Sequence, residues 1–159
     1  MITVRPFHDF EFDRACQIQE FTEPEQCEKY RSRFADSGQW SDHYFNIAID
    51  VDGVAVGELQ VRHCRLSMPP GTAEIGIRIL PDFQGRGVGT EVLHLCRAKF
   101  FDQGFHRLSG ATDVTNLGMA RAFEKAGWTF EGVSRALMPG TDGVPHDYRV
   151  YATTIWDEM

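Results

Sequence analysis

The chain has 159 residues, of which 42% are hydrophobic and 25% are charged, and its formal net charge is −7. This composition suits one globular domain, residues 1–159, rather than a disordered chain. An acidic balance argues against non-specific nucleic-acid binding, which needs a basic surface. It is compatible with a cationic substrate such as an amine, because a negative field concentrates cations, although an acidic surface also serves solubility alone.

Membrane and metal signals are missing from the sequence. No apolar stretch approaches the roughly 20 residues that span a bilayer, and the N-terminal residues lack the apolar segment of a signal peptide. The four cysteines and six histidines have no metal-ligand spacing. Free thiols are typical of a reducing compartment. We therefore expect a cytoplasmic protein with no membrane partner and no metal.

The first half of the chain predicts a strand, two helices and a β-hairpin. The predicted ranges are strand 2–5, helices 9–21 and 23–37, and strands 44–49 and 54–64. Asp9 and Thr22 are the expected helix caps, and residues 50–53 form the hairpin turn, since Asp-Gly tolerates a positive φ. In the second hairpin strand, alternation places Val54, Val56, Glu58, Gln60 and Arg62 on one side and Ala55, Gly57, Leu59 and Val61 on the other.

The second half predicts alternating strands and helices. The ranges are loop 67–71, strand 73–80, helix 88–103, strand 107–112, helix 116–126, and strands 128–137 and 148–155. The element order is β-α-α-β-β-β-α-β-α-β-β. Such an order predicts a mixed α/β sheet with helices packed on its faces.

A glycine-rich loop between a predicted strand and a predicted helix is the most informative segment. It reads Gln84-Gly85-Arg86-Gly87-Val88-Gly89. Glycines let the backbone approach an anion closely, and a helix start offers unpaired N–H groups and a positive dipole end. A Walker motif is absent and the spacing differs from the dinucleotide fingerprint. The loop therefore predicts a phosphate or pyrophosphate site, with a merely flexible turn as the alternative.

The sequence resembles the GNAT superfamily of N-acetyltransferases in two motifs. Residues 84–89 fill the family signature [QR]-x-x-G-x-[GA], and an Ala-Glu-Ile-Gly strand precedes them. Residues 116–128 are similar to the family segment N-x-x-[SA]-x-x-x-[LY]-x-K-x-G-[FW]. Residues 131–133 and 147–151 are similar to the ribosomal-protein N-acetyltransferase-like branch, which also includes acetyltransferases of polyamines and other small amines.

The resemblance implies a GNAT fold and acetyl-CoA as the cofactor. In that α/β fold, a mixed, mostly antiparallel sheet of about seven strands is flanked by about four helices, and a splayed parallel strand pair forms the CoA cleft. The loop amides would hold the pyrophosphate, and the backbone of Ile77 to Ile79, in the strand before the loop, would bind the pantetheine arm. The implied cofactor-binding residues are Ile77, Arg78, Ile79, Gln84, Gly85, Arg86, Gly87, Val88, Gly89, Thr90, Asn116, Phe123 and Lys125.

The implied reaction is direct attack of a neutral amine on the thioester in a ternary complex. Because an alkylamine has a pKa of about 10.4, a base must accept its proton. Glu74 is the first candidate, because its context resembles the position of the base in histone acetyltransferases and desolvation near a cleft raises the pKa of a carboxyl. Glu58, on the adjacent strand, is the second. A purely structural carboxylate is an equal alternative for Glu74.

The proton donor for the departing thiolate is the uncertain element of the motif. Many relatives carry Ser three residues after the Asn of this motif, here Asn116, or Tyr seven residues after it. In this sequence those two positions are Met119 and Phe123. Tyr148, Tyr151 or water could replace them. This departure leaves open an acyl-CoA-binding regulatory protein with little or no turnover.

The acceptor and the quaternary state stay open at this point. The acceptor would be a primary amine of a small molecule or a peptide N-terminus. Asp113 could bind the amine, and His63 and His146 could line its pocket or lie at the surface. Relatives often pair through their sheets, so a homodimer is a further candidate partner, whereas nucleic acid is not.

Overall fold

A seven-stranded sheet with helices on both faces organises the chain in the computed structural model, which describes residues 1–64 and 71–158. The strands are β1 (Ile2–Arg5), β2 (Tyr44–Val51), β3 (Val54–His63), β4 (Thr72–Ile79), β5 (Arg107–Asp113), β6 (Thr129–Pro139) and β7 (Pro145–Thr154). The helices are α1 (Phe12–Ile18), α2 (Pro24–Ala35), α3 (Val88–Asp102) and α4 (Leu117–Lys125). Most of the predicted loop 67–71 lies outside the described residues.

Strand order confirms the predicted fold. The order is β1-β2-β3-β4-β5-β7-β6, and every neighbouring pair is antiparallel except β4 and β5. The parallel pairing runs from Thr72 opposite Arg107 to Ile75 opposite Gly110 and ends there. β4 stays paired to β3 as far as Ile79, and β5 stays paired to β7 beyond Gly110. The two strands therefore splay apart after Ile75, which opens a cleft between them.

Two hydrophobic clusters cover the two faces of the sheet. On one face, which we call the α3 face, side chains of α3 and α4 pack on odd-numbered positions of β2 and β4 and on Val56, Leu59 and Val61 of β3. On the other, the α1 face, α1 and α2 cover mainly β2 and β3. In β5 the α3-face residues are buried and the α1-face residues are only half-buried. The cleft is therefore closely packed on the α3 face and more open on the α1 face.

Helix caps differ from the predicted ones. A 3₁₀ turn, Asp9–Glu11, precedes α1, and its N-cap is His8 instead of Asp9. The N-cap of α2 is Glu23 instead of Thr22. The reason is the Gln26 side chain, whose oxygen accepts from the amides of both Thr22 and Glu23 at 3.0 Å. A capping side chain three residues inside the helix thus fixes where α2 begins.

A β-bulge changes the predicted faces of β3. Ile49 pairs with Gly57 and Asp50 pairs with Ala55, which leaves Val56 as the extra residue. Val56 consequently joins the core on the α3 face, so its predicted position beside Glu58 and Gln60 is wrong. Period-two alternation does not reveal a bulge, because the insertion depends on how the partner strand pairs.

The helices of the described residues were also compared with the requirements of a membrane span. No helix within residues 1–64 and 71–158 combines the length and the apolar character that a bilayer crossing requires. All four cysteines are free.

Gly57, next to the bulge, lets β3 lie close to β4, and its replacement tests this. A Cβ on Gly57 would lie 2.3 Å from the carbonyl oxygen of Arg78. We expect Gly57→Ala to lower the free energy of unfolding by about 1–3 kcal/mol, because the backbone of β4 must move. Urea denaturation followed by circular dichroism measures the change.

The matched control is Gly118→Ala in the first turn of α4. Its Cβ would meet nothing nearer than the Asn116 side-chain oxygen at 3.7 Å. Alanine favours a helix over glycine by up to about 1 kcal/mol, so this variant should be neutral or more stable. Equal destabilisation by both substitutions would contradict the steric account.

Candidate active site

We call the point where β4 and β5 separate, at Ile75 and Gly110, the vertex of the cleft. An aromatic ring closes it on the α3 face. A Cβ on Gly110 would lie 2.7 Å from Cζ of Phe123, so the ring rests directly on this glycine. Phe123 also stacks on Tyr151, with ring centroids 4.9 Å apart and planes 6° apart. The missing side chain at position 110 thus lets α4 seal the point where β4 and β5 separate.

The glycine-rich loop follows β4 directly and is tied back to it. A 3₁₀ turn, Pro81–Phe83, ends β4, and the Gln84 side-chain nitrogen donates to the Ile79 carbonyl at 2.9 Å. Gly85 and Gly87 have φ values of 72° and 80°, in the left-handed region that glycine tolerates best. The loop therefore turns sharply and delivers the chain to the start of α3.

Free amide groups line this start. The first bond of the helix runs from the Glu91 N–H to the Gly87 carbonyl at 3.1 Å. Among the described residues, no N–H from positions 85 to 90 has a hydrogen-bond acceptor. The side chain of Val88 is buried and anchors the loop, while Gly85, Arg86 and Gly87 are exposed. Exposed donors at a helix start form an anion site, reinforced by the helix dipole.

The backbone of β4 presents only part of its length to the cleft. The Arg78 carbonyl points at Gly57 of β3. Since successive backbone groups of a strand point in opposite directions, those of Ile77 and Ile79 face the cleft. Ile79 already bonds Gln84 through its carbonyl. Ile77 is therefore the predicted pantetheine contact with the greatest freedom to bind a ligand.

The α4 side of the cleft contains two further predicted residues. Asn116 caps α4, and its side-chain oxygen accepts from the Met119 amide at 3.1 Å. Its nitrogen has no partner in the described part of the chain and can donate to a ligand. Lys125 is exposed in the last turn of α4. Gly89 packs on this helix, since its Cβ would lie 3.5 Å from the Ala122 Cβ.

Glu58 is sequestered under α2. Its side chain is 0% exposed, the Tyr30 hydroxyl donates to one carboxylate oxygen, and the Gln60 nitrogen donates to the other at 2.7 Å. Burial, reinforced by the charge of Glu58, raises the pKa of Tyr30 well above its ordinary value. The phenol therefore stays a hydrogen-bond donor, and Glu58 has no direct exposure to the cleft.

Glu74 has the opposite surroundings on the same face. Its side chain is 47% exposed and lies 4.0 Å from the Arg62 guanidinium. The expectation that burial would desolvate this carboxylate is wrong. β3 places Arg62 opposite Glu74 and Gln60 opposite Gly76.

Gln60 and Arg62 are the residues that sequence analysis missed. The Gln60 oxygen and an Arg62 nitrogen each lie 3.9 Å from the Cβ position of Gly76, one residue beyond the last β4–β5 pair. The two side chains therefore overhang the vertex from the α1 face. The sequence did contain a signal for them, since Gln60 and Arg62 are alternate polar residues in a predicted strand. Polar side chains on an interior strand need hydrogen-bond partners or ligands.

Tyr151 is a neutral donor directed away from the vertex. It is 1% exposed, and its hydroxyl donates to the Glu124 carboxylate at 3.2 Å. Burial, aided by this bond, raises the pKa of Tyr151. Tyr148 occupies an alternate position on β7 and so faces the other side of the sheet.

Asp113 and the two histidines are already engaged. One Asp113 oxygen accepts from Thr115, and the other lies 2.5 Å from Nδ1 of His146. Asp142 first, and Asp113 second, raise the pKa of His146. His63 lies on the α3 face against Trp40, with ring centroids 4.5 Å apart, and burial lowers its pKa. His63 thus belongs to an aromatic cluster and does not line an acceptor pocket on the α1 face.

Comparison with known proteins decides the family. The profile of the acetyltransferase (GNAT) domain matches residues 3–129. The chain belongs to the GNAT acetyltransferase family. It is an acyl-CoA-dependent N-acyltransferase of this family, with acetyl-CoA as its cofactor. A search among curated proteins finds no match.

Solved structures share the GNAT fold over nearly the whole chain. The microcin C7 self-immunity acetyltransferase MccE, solved with acetyl-CoA and AMP, has a TM-score of 0.78 at 18% identity, covering 97% of this chain and 92% of that one. The ribosomal-protein-S18-alanine N-acetyltransferase from Escherichia coli has a TM-score of 0.71 at 19% identity, covering 100% and 97%. Mycobacterium smegmatis RimJ, solved with CoA-disulfide, has a TM-score of 0.75 at 19% identity, covering 97% and 82%. At these identities the likeness concerns the fold.

Substitution of Gly87 tests the anion site of this GNAT chain. Valine cannot hold a φ of 80° without strain, so Gly87→Val should turn the loop amides away and weaken CoA binding about tenfold or more. Isothermal titration calorimetry with CoA measures the affinity.

Gly104→Val is the matched control at the other end of α3. Gly104 has a φ of 95° and, like Gly87, open space around its Cβ position. The control should therefore suffer similar strain and a similar loss of stability, yet keep its affinity for CoA. Normal CoA binding by Gly87→Val would show that the loop is not the pyrophosphate site.

Proposed function

We propose that this chain transfers an acetyl group from acetyl-CoA to a primary amine of a small molecule or a peptide N-terminus, by direct attack in a ternary complex. The supporting observation is the run of unpartnered amides at residues 85–90, placed at the end of the strand that splays from β5. A phosphate site and an open strand edge are thus continuous. A ligand with a diphosphate and a long amide-bearing arm fits both.

In this proposal, the diphosphate binds the amides of Gly85 to Thr90 and the pantetheine arm follows β4. Ile77 offers its backbone groups to the arm, and Asn116 offers its side-chain nitrogen from the facing edge. The thioester then lies near Gly76 and Gly110, against the ring of Phe123. An N–H of the Ile77–Ile79 segment stabilises the oxyanion, since a fixed donor there opposes the developing charge.

The amine approaches from the α1 face, beneath Gln60 and Arg62. Glu74 is the proposed base, acting directly or through water, because its half-exposed carboxylate lies on that face next to Arg62. Glu58 is the second candidate and would act through Gln60, whose amide it bonds. The thiolate takes its proton from water or from Tyr151, after the latter releases Glu124.

An acyl-CoA-binding regulatory role is the alternative function. Phe123 and Met119 replace the usual proton donors, and Phe123 brings only a ring edge to the vertex. Thiol release from acetyl-CoA in the presence of a panel of amines separates the alternatives. Tight CoA binding without amine-dependent thiol release would support the regulator.

Replacement of Glu74 tests the proposed base. Glu74→Gln should lower kcat about tenfold or more, because it removes the proton acceptor, while the affinity for acetyl-CoA stays unchanged. Glu131→Gln is the matched control, since Glu131 is another surface carboxylate paired with an arginine, Arg107. If Glu74→Gln keeps the wild-type rate, the role passes to Glu58 or to water.

A homodimer and a reducing cytoplasmic location are further proposals. β6 is an edge strand with exposed apolar side chains, namely Phe130, Val133, Leu137 and Met138. An apolar edge strand usually needs a cover. Sedimentation velocity should give a dimer that Phe130→Lys weakens, and a monomer at all concentrations would contradict this.

The four free cysteines support the proposed location in a reducing cytoplasm.

A further inference from the structure

The side chain of Gln60 lies between a buried carboxylate and the vertex of the cleft. Its nitrogen donates to a carboxylate oxygen of Glu58 at 2.7 Å. Its oxygen lies 3.9 Å from the Cβ position of Gly76 and accepts no hydrogen bond from the residues that the structure describes. Gln60 is only half-buried. The amide therefore has one polar atom anchored in the interior and the other directed at the accessible side of the vertex.

Glu58 decides which way round this amide lies. A carboxylate accepts hydrogen bonds and does not donate them, so at 2.7 Å it must face the nitrogen of Gln60 and not the oxygen. Glu58 is itself held in place, because it is 0% exposed and its second oxygen accepts from the Tyr30 hydroxyl. The Gln60 oxygen is consequently left on the side of Gly76.

Gly76 leaves room beneath this oxygen. A Cβ at position 76 would meet nothing nearer than the Gln60 oxygen and an Arg62 nitrogen, both at 3.9 Å. Gly76 also lies one residue past the last β4–β5 pair, where the neighbouring strand has already separated. A small group that lies over Gly76 from the α1 face would thus contact both atoms.

The two atoms over Gly76 make different demands on such a group. The Gln60 oxygen accepts a hydrogen bond, whereas the Arg62 guanidinium only donates and carries positive charge. That charge disfavours a protonated amine and so favours the neutral form that can attack a thioester. Arg62 lies 4.0 Å from Glu74, which places the proposed base next to the same position.

We propose that Gln60 positions the attacking amine by accepting one of its N–H groups over Gly76, and that Glu58 holds Gln60 in this orientation. The assignment rests on the proposed acetyltransferase function and adds to it the group that binds the nucleophile. Gln60 is a binding residue in this role, and Glu58 is a positioning residue that acts through it.

A primary amine can satisfy all the groups at the vertex at once. One N–H donates to Gln60, the other faces Glu74 or water, and the lone pair is directed at the thioester carbon. The new C–N bond forms as the C–S bond breaks, the sulfur leaves as the thiolate of CoA, and Glu74 or water takes the proton of the amine. Gln60 exchanges no proton and keeps its bond to Glu58 throughout.

Three variants separate the oxygen of Gln60 from its bond to Glu58. Gln60→Leu removes both. Gln60→Lys removes the oxygen but keeps a donor for Glu58. The exchange of Glu58→Gln with Gln60→Glu reverses the direction of the bond, keeps the net charge and leaves a carboxylate oxygen over Gly76.

The assay is thiol release from acetyl-CoA with alaninamide, spermidine or kanamycin, and KM is measured for the probe that reacts fastest. Gln60→Leu and Gln60→Lys should each raise the KM for the amine about tenfold or more, while calorimetry gives an unchanged affinity for CoA. The exchange should return this KM toward the wild-type value. Gln17→Lys is the matched control, because it adds the same charge at an exposed position of α1, and it should keep the wild-type KM.

A merely structural pair would give a different pattern. Gln60→Lys still satisfies Glu58, so its KM would then equal that of the wild type, and only Gln60→Leu would lose activity together with melting temperature. A wild-type KM in Gln60→Lys, or an exchange variant that binds CoA normally but has no improved KM, would therefore overturn the assignment.

Failure of the proposed function has its own signature. If the wild type binds CoA but releases no thiol with any amine, the proposed function is wrong and the role of Gln60 falls with it. If the wild type turns over and Gln60→Lys keeps its KM, only the role of Gln60 is wrong.

Discussion

The early end of the pairing between β4 and β5 is the constraint on which the rest of the structure depends. Only four residue pairs join the two strands before they separate. Each strand stays anchored on its outer side, β4 to β3 and β5 to β7. The inner backbone groups of β4 past Ile75 are thereby fixed in place, and among them the Ile79 carbonyl accepts from the Gln84 side chain. Because backbone N–H and C=O groups need partners, the gap suits the extended, amide-bearing ligand of the proposed function.

This constraint also explains why the vertex is closed on one face of the sheet and accessible on the other. On the α3 face, Phe123 rests on Gly110 and stacks on Tyr151, so the vertex is dry and closed. On the α1 face, Gln60 and Arg62 overhang the same point, and half-buried side chains leave it accessible. Under the proposed function, the acceptor therefore reaches the vertex from the α1 face, while Phe123 closes the α3 face behind the thioester.

Local signals made the fold, and the sharp turn between β4 and α3, predictable from the sequence. The alternating glycines before a predicted helix indicated a loop at this point, and Gly85 and Gly87 form it with positive φ values. The bulge at Val56 and the contrast between Glu58 and Glu74 were not predictable in this way. Both carboxylates lie on one face of adjacent strands, and only the placement of α2 decides which of them is buried. Register and helix placement depend on contacts between distant segments, which residue patterns do not record.

The bond between Gln84 and the Ile79 carbonyl affects how binding energy is distributed along the cofactor. A pantetheine amide that takes this carbonyl displaces an amide of the same chemical kind, so the exchange yields little net enthalpy. The arm is then selected mainly by shape and length. Affinity must come mostly from the charged end of the molecule, which predicts that a fragment without the diphosphate is held poorly even though it matches the groove.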